Sequence, residues 1–409
     1  MSLHPQKPSP HILALIHDLF RAYEDARKNK RSTMSALQFE VDYERNLFEL
    51  HREIVERRYE VSPCFCFVSK RPVLREVFAA DFRDRVVHHL VYNAVSPIFE
   101  RHFIHDSYSC RTGKGTSYGI RRVEHFLRSC SRNYQRDCHI LKLDISGYFM
   151  SIDRSLLYAK VEKDILRHGD GAAFDVDLIL HLIRKIIFHD PTAGCVVKGD
   201  RRDWIGLPKS KSLFWAEPGR GLPIGNLTSQ LFGNIYLNDF DHFVKCRLGC
   251  RHYGRYVDDL IIVHPDKEEL KSLIPVIAQY LKERLHLQLH GRKIYLQHVS
   301  KGVLWLGVFI KPHRKYIRNR TKGNFYAAIR SWNGVIEKAG GGALSERTVE
   351  KFIATMNAYL GMLGHCDTYK LRQTLLRDHL SPLWWQYVRE TGAVTISSRT
   401  ASRDPVQCA

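Results

Sequence analysis

The tetrapeptide Tyr256-Val257-Asp258-Asp259 constrains this chain more than any other stretch. It stands between Arg251-His252-Tyr253-Gly254-Arg255 and the apolar run Leu260-Ile261-Ile262-Val263, so two adjacent carboxylates fall where one β-strand ends and another begins. Like charges side by side, flanked by strands that should be buried, are unfavourable unless a cation neutralises them, and a divalent metal is the usual solution. A solvated hairpin turn is the plainer reading of any one Asp-Asp pair.

A second carboxylate in a matching context favours the metal. In Ile140-Leu141-Lys142-Leu143-Asp144-Ile145-Ser146-Gly147-Tyr148-Phe149 a short apolar strand ends in an aspartate, and a glycine and two aromatics follow. Two strand-end acidic sites can converge on a pair of Mg²⁺ ions roughly 4 Å apart, the arrangement that activates a 3′ hydroxyl and stabilises the leaving pyrophosphate. That is nucleotidyl transfer chemistry, and Mn²⁺ could substitute. Between the two acidic motifs, Gly219-Arg220-Gly221-Leu222-Pro223-Ile224-Gly225-Asn226-Leu227-Thr228-Ser229-Gln230 is a glycine-rich approach to a helix that continues through Leu231, Phe232, Ile235, Tyr236 and Phe240. Glycines let backbone come close to a ligand, and a helix start offers unpaired N–H groups. The same loop is also a turn capping a buried helix.

With these residues together the chain resembles a reverse transcriptase. The Asp144 strand resembles the palm motif that supplies the first metal-binding aspartate, and Tyr256 to Asp259 resembles the YxDD box that supplies the others. The resemblance implies that Asp144, Asp258 and Asp259 are catalytic, and that these three with Ile145 form the metal set. It further implies that Phe149, five residues after Asp144, lies under the sugar and excludes a 2′-hydroxyl, so the substrates would be dNTPs; core packing is the alternative reading of Tyr148-Phe149. Tyr148, Ile224, Gly225 and Gln230 complete that side of the nucleotide site. Many family members have a glutamine before the loop glycine and a Ser-Pro further on, whereas this chain has Ile224-Gly225 and Ser229-Gln230. The departure resembles prokaryotic diversity-generating retroelement enzymes, which copy a template-repeat RNA with errors at adenines. An aliphatic residue there gives up a polar contact to the dNTP, so error-prone synthesis is expected.

Other family motifs lie in register. Lys70-Arg71-Pro72-Val73-Leu74-Arg75-Glu76-Val77 resembles the fingers strand that holds the triphosphate, with Arg75 the favoured ligand through its fixed donor fork and Lys70 and Arg71 behind it. Asp81-Phe82-Arg83-Asp84 opens the next helix. Ser107 to Thr116 resembles the second fingers motif, placing Arg111 and Lys114 against the template. Downstream, Gly291 to Leu296 and Gly302 to Gly307 resemble the last two palm motifs, the latter a primer grip containing Trp305. Lys293 either assists pyrophosphate or is a solvated strand-end lysine. Tyr256, Lys315, Arg318 and Arg320 are read as further nucleic-acid contacts.

Composition agrees. The formal charge is +20 and the isoelectric point about 9.5, which points to a polyanionic partner. From Lys311 to Arg330 there are seven Lys and Arg and no acid, interleaved with Tyr316, Phe325 and Tyr326, the mixture expected where phosphates and bases are both contacted. A second basic-aromatic segment, Lys198 to Arg220 with Trp204, Phe214 and Trp215, reads as an insertion that either touches RNA or folds its aromatics onto its own domain. Folding onto its own domain is the expected reading.

The expected architecture is an α+β right-hand polymerase. A helical extension spans 1–60, with Ile12, Leu15, Ile16, Leu19 and Phe20 on one face and a basic stretch from Arg27 to Arg31 after it. Fingers span 61–135, a palm with antiparallel sheet 136–312 with an insertion at about 168–218, a helical thumb 313–388 broken at Gly340-Gly341-Gly342, and a short polar tail 389–409. His365, beside Cys366 and Asp367, is expected to pack or touch RNA rather than catalyse. With so short a tail, no RNase H, endonuclease or maturase domain is expected. Ten cysteines lack a zinc spacing, no run of about 18 apolar residues suggests a membrane span, and Met1-Ser2-Leu3-His4-Pro5 opens no signal peptide; a cytoplasmic protein is expected. Its partners would be a structured RNA template, dNTPs, the cDNA product and a small basic accessory protein. Two rival readings are an antiphage-defence reverse transcriptase with a dedicated noncoding RNA and an RNA-binding protein without catalysis. An RNA polymerase preferring rNTPs is opposed by Phe149 and the YVDD wording.

Overall fold

The computed structural model describes residues 10–28, 33–70, 73–169, 172–340, 343–392 and 395–399. Arg71, Gly341, Gly342 and most of the Arg27–Arg31 stretch therefore lie outside the described residues. The chain begins with three helices, α1 (Pro10–Arg27), α2 (Met34–Glu40) and α3 (Tyr43–Val55), followed by β1 (Phe65–Ser69), β2 (Arg75–Ala79) and the long α4 (Phe82–His102). Then come α5 (Thr116–Cys130), β3 (His139–Asp144), α6 (Tyr148–Ser151), α7 (Arg154–His168), α8 (Val176–Phe188) and the short β4 (Val196–Val197). The middle contains α9 (Leu227–Tyr236), α10 (Asn238–His242), β5 (His252–Tyr256), β6 (Asp259–His264), α11 (Lys267–Leu285) and β7 (Tyr295–His298). The last part holds β8 (Val303–Trp305), β9 (Val308–Lys311), β10 (Arg314–Ile317), α12 (Asn319–Lys338), α13 (Glu346–Gly364), α14 (Tyr369–Gln373), β11 (Val388–Glu390) and β12 (Ile396–Ser398).

Local chemistry sets many of these boundaries. Asp81, Asp153 and Asp175 cap α4, α7 and α8 by accepting from Arg83 N, Leu156 N and Leu178 N at 3.0–3.1 Å, satisfying amides with no partner inside the helix. In α3 the buried positions Leu47, Leu50 and Ile54 recur at three and four residues, the spacing of one helical face. Strand β1 alternates instead, burying Cys66 and Val68.

The chain divides into two compact units. The first comprises Met1–Gly115, Leu141–Ile262 and Glu268–Tyr295. Within it α4 is the central helix, packed by α1, α2, α7, α8 and α9. The hairpin β1–β2 gains β4 as a parallel third strand, giving the order β2-β1-β4. The second unit comprises Thr116–Ile140, Val263–Lys267 and Leu296–Ala409. It holds the antiparallel meander β8–β9–β10 and a core of Phe325, Ile329, Phe352, Met356, Leu360 and Trp384, with Phe352 stacked on Trp384 at 3.7 Å. A further sheet has the order β5-β6-β3-β7.

Three details add to the sequence reading. The expected insertion at about 168–218 begins with a regular helix: α8 buries Leu178, Ile179, Leu182, Ile183 and Ile187 and packs on α7, α4 and α3, so irregular chain starts only near His189. At the tail, Val388 and Ile396 are buried and the Asn357 amide bonds both N and O of Ile396 at 2.8–2.9 Å. Phe325, expected among the base contacts, is fully buried and stacks on Tyr359 at 4.6 Å. No described helix is long and apolar enough to cross a membrane.

Candidate active site

Val257 sits at the tip of the β5–β6 turn with φ of 55°, a left-handed conformation that a β-branched residue adopts only under strain of about 1–3 kcal/mol. Arg255 holds it there. Its side chain is fully buried, donates to the Val257 carbonyl at 3.1 Å and pairs with Asp241, also fully buried, at 2.6 Å. Asn234 of α9 receives another guanidinium hydrogen bond at 3.2 Å, and Tyr253 donates to the same Asp241 carboxylate at 2.6 Å. The turn is thereby tied to α9 and α10. Gly254 is required beside it, since a Cβ there would stand 2.4 Å from the Tyr108 hydroxyl.

The same turn meets the end of β3. Ile145 N donates to the Asp258 carbonyl at 3.2 Å, while His290 N and Ser146 N bond Asp144 O and Gln288 O at 2.8 Å. Asp144, Asp258 and Asp259 are thus gathered at one strand end. Burial, then the charges of Asp259 and Asp144, push the Asp258 carboxyl up to about 6, as expected for like charges crowded in a partly dry site. Two lysines answer that charge: Lys293 Nζ lies 2.9–3.0 Å from both Asp144 oxygens, and Lys142 Nζ lies 3.0 Å from Asp259. Among the described residues no group of three or more His, Cys, Asp or Glu side chains is arranged to hold a metal ion. The donor chemistry of three carboxylates nonetheless suits a hard divalent cation, and in this arrangement ammonium groups supply the positive charge.

The nucleotide side is built from the glycine-rich loop. Gly147 turns the chain after Asp144 at φ of 54°, and its missing Cβ leaves room for the Ser210 carbonyl, which such an atom would meet at 2.9 Å. Leu222 N donates to Phe149 O, and Phe78 N to Ile224 O, at 2.8–2.9 Å, lacing the loop between α6 and β2. Gly225 passes so close to β2 that a Cβ would stand 2.9 Å from Phe78 O. Phe149 and Ile224, both partly buried, pack on one apolar cluster of Cys64, Cys66, Phe78, Met150 and Leu213. Gln230 and Arg75 are exposed in the same unit, and Lys70 pairs with Asp203 at 2.6 Å.

Three expected contact residues are committed elsewhere. Tyr148 is buried and donates to Gly233 O at 2.5 Å, because Gly233, lacking a side chain, leaves space for both aromatic rings; its Cβ would lie 3.3–3.5 Å from them. Arg111 is engaged by Glu100 at 2.8 Å and by the Ile104 and Ser107 carbonyls. Trp305 is fully buried in the second unit. Tyr256 is half-buried at the turn, and Lys114 donates to the His105 carbonyl. In the second unit Lys315 pairs with Glu124 at 2.9 Å, Arg318 and Arg320 are exposed at the start of α12, and His365 bonds Ser117 at 3.1 Å.

The family model described as reverse transcriptase (RNA-dependent DNA polymerase) matches residues 71–310, more than half of the 409. The chain belongs to the reverse transcriptase family. That span contains both acidic motifs and the glycine-rich loop between them. Protein YkfC of Escherichia coli (strain K12) is 26% identical over 281 residues, covering 61% of this chain and 65% of YkfC; the chain thus spans just under two thirds of that relative. Among solved structures, apo telomerase from Candida tropicalis truncated from its C-terminal domain has a TM-score of 0.45 at 13% identity, covering 65% of this chain and 59% of that one. Telomerase from Candida albicans in complex with a TWJ fragment of telomeric RNA has a TM-score of 0.43 at 12% identity, covering 82% of this chain and 61% of the other.

Arg255, Asp241, Lys142 and Gly233 escaped the sequence reading. Arginine immediately before a buried-strand turn was a signal for Arg255, but its partner Asp241 is 14 residues away on another element. Lys142 was visible as a charge interrupting the apolar strand that ends in Asp144.

Proposed function

We propose that this reverse transcriptase family member is an RNA-directed DNA polymerase whose reaction centre is Asp144, Asp258 and Asp259. The observation that carries the reading is the junction of the two acidic strand ends through the Ile145 N to Asp258 O hydrogen bond, with Asp258 raised to about 6 by burial and by the neighbouring Asp259 and Asp144. Asp144 and Asp258, with Ile145 and the nearby Asp259, would hold divalent metal, for which Mg²⁺ is our choice. Bound there, such ions activate a 3′ hydroxyl and neutralise departing pyrophosphate. The chain's own residues do the rest: Arg255 fixes the turn that aims Asp258, Phe149 closes the sugar side against a 2′-hydroxyl, and Arg75 with the loop through Gly225 and Gln230 orients the triphosphate and the nascent pair. Lys293, released from Asp144, stands ready to meet phosphate charge. In this assignment 61–135 are fingers, 136–312 palm and 313–388 thumb, and structured RNA is the template.

We further propose error-prone synthesis of the diversity-generating kind. It is supported by Ile224, which packs with Phe149 on an apolar cluster and gives the nascent pair no polar side chain. The primary test is primer extension on an RNA template with dNTPs, comparing wild type with Asp258→Ala/Asp259→Ala. Template-dependent DNA made only by wild type is expected; equal product from both would overturn the assignment. For fidelity, Ile224→Gln should reduce mismatches opposite template adenines, and an unchanged error spectrum would remove that part.

A further inference from the structure

The segment between β4 and the glycine-rich loop supplies none of the residues assigned to the reaction centre. It is fixed firmly to the first unit. Its strand β4 pairs with β1, and Val196 N and Lys198 N donate to Cys64 O and Cys66 O at 2.8 Å. Glu76 of β2, only 1% exposed, accepts from Trp204 Nε1, Ser212 Oγ and Leu213 N at 2.7–2.8 Å. Phe214 tilts against Phe78 at 5.5 Å. The Ser210 carbonyl lies against Gly147, three residues beyond Asp144. The segment is a clamped platform beside that strand end.

What the platform presents is unusual for a surface. Ile205 is 77% exposed, Trp215 63% and Phe214 45%, and large apolar groups left in water on one short segment suit an interaction site. Lys198, Arg201, Arg202, Lys209 and Lys211 are exposed along the same segment. Lys209 Nζ sits 4.1 Å from the Trp215 ring centroid, and Lys198 Nζ 3.9 Å from that of Phe65. Between Val196 and Arg220 there are six Lys and Arg against three acids. Those acids are occupied: Asp203 pairs with Lys70, Glu217 with Arg220, and Asp200 accepts from Arg202 N. The net charge of the segment is therefore positive, and two of its lysines lie over aromatic rings.

We propose that this platform binds single-stranded template RNA next to the reaction centre, with Trp215 stacking on a base and Lys198, Lys209 and Lys211 meeting phosphates. Paired bases offer no face to an exposed ring, whereas unpaired ones stack on it and leave their backbone to the cations. The assignment to template rests on the polymerase reading above. The contact with a single strand does not.

The test is a titration of the full chain with fluorescein-labelled oligonucleotides of roughly 16 nucleotides, as single-stranded RNA, single-stranded DNA and RNA duplex, over a range of salt. Trp215→Ala should weaken single-stranded RNA about tenfold and leave duplex unchanged, with Trp215→Phe recovering most of the loss. Lys209→Gln/Lys211→Gln should lower the salt slope by about 1.4. Equal RNA affinity for wild type and Trp215→Ala overturns the proposal, as does an equal loss on duplex. A loss confined to single-stranded DNA would move the platform to product and overturn the template assignment. Primer extension run in parallel separates the two readings, since a wild type that makes no DNA while Trp215→Ala still loses RNA defeats the polymerase assignment alone.

Discussion

Val257 and Arg255 carry the turn between them. Arg255 and Asp241 form a fully buried ion pair, and removing one partner of such a pair costs about 3–5 kcal/mol because the other charge is left dry and alone. Arg255→Met and Asp241→Leu should each lower stability by that order in urea melts. The double variant should recover part of the loss, yet lose the bond to the Val257 carbonyl. Single-turnover dNTP incorporation should then stay at least tenfold slow in the double variant, with RNA affinity unchanged; a stable and fast double variant would deny Arg255 its positioning role. Gly147 offers a second residue-scale test. Its positive φ and the Ser210 carbonyl 2.9 Å from a Cβ position predict that Gly147→Ala destabilises by about 1–3 kcal/mol, measurable by thermal melting.

Elements are joined by buried polar groups that act as rivets. His88 of α4 bonds Thr228 of α9 at 2.7 Å, and burial, with His89 and Arg85 nearby, pushes its imidazole down to about 3. The unfolded chain would take up a proton near the ordinary histidine value of about 6.5. The unfolded state therefore binds more protons below that value, and this stability is full above about 6.5 and lost progressively as pH falls toward about 3. Melts of wild type and His88→Asn across that window should converge as pH falls, and parallel curves would count against it. Glu76 rivets β2 to the platform in the same way. Glu76→Ala leaves three donors without their acceptor, at about 1–3 kcal/mol for each that stays dry, and should raise hydrogen exchange across Val196–Trp215 above that of β1.

At the scale of the whole molecule, charge matters more than any one contact. With a net +20, RNA affinity should fall steeply with salt, by about 10³-fold or more between 50 and 200 mM if six or more phosphates are contacted; a flat salt profile would separate the charge from RNA binding. The second unit has its own core, in which Trp384 is fully buried against Phe352. Trp384→Ala should cost about 3–5 kcal/mol, seen as a lowered melting transition.

The two acidic motifs were legible because they depend on local chemistry: the unbroken apolar run of β6, helical spacing in α1, aspartates at strand ends, glycines where backbone must turn. The partner of each charge was not. Lys142 and Lys293 reach Asp259 and Asp144, and Asp241 reaches Arg255, only because strands and helices distant in sequence are brought side by side. Nor does composition tell an inward aromatic from an outward one: Trp204 and Trp215 lie eleven residues apart in the same basic segment, yet Trp204 bonds buried Glu76 while Trp215 faces water. A residue's type determines what it can bond, and packing decides which bond it makes, because burial makes every unpaired polar group costly and every paired one specific.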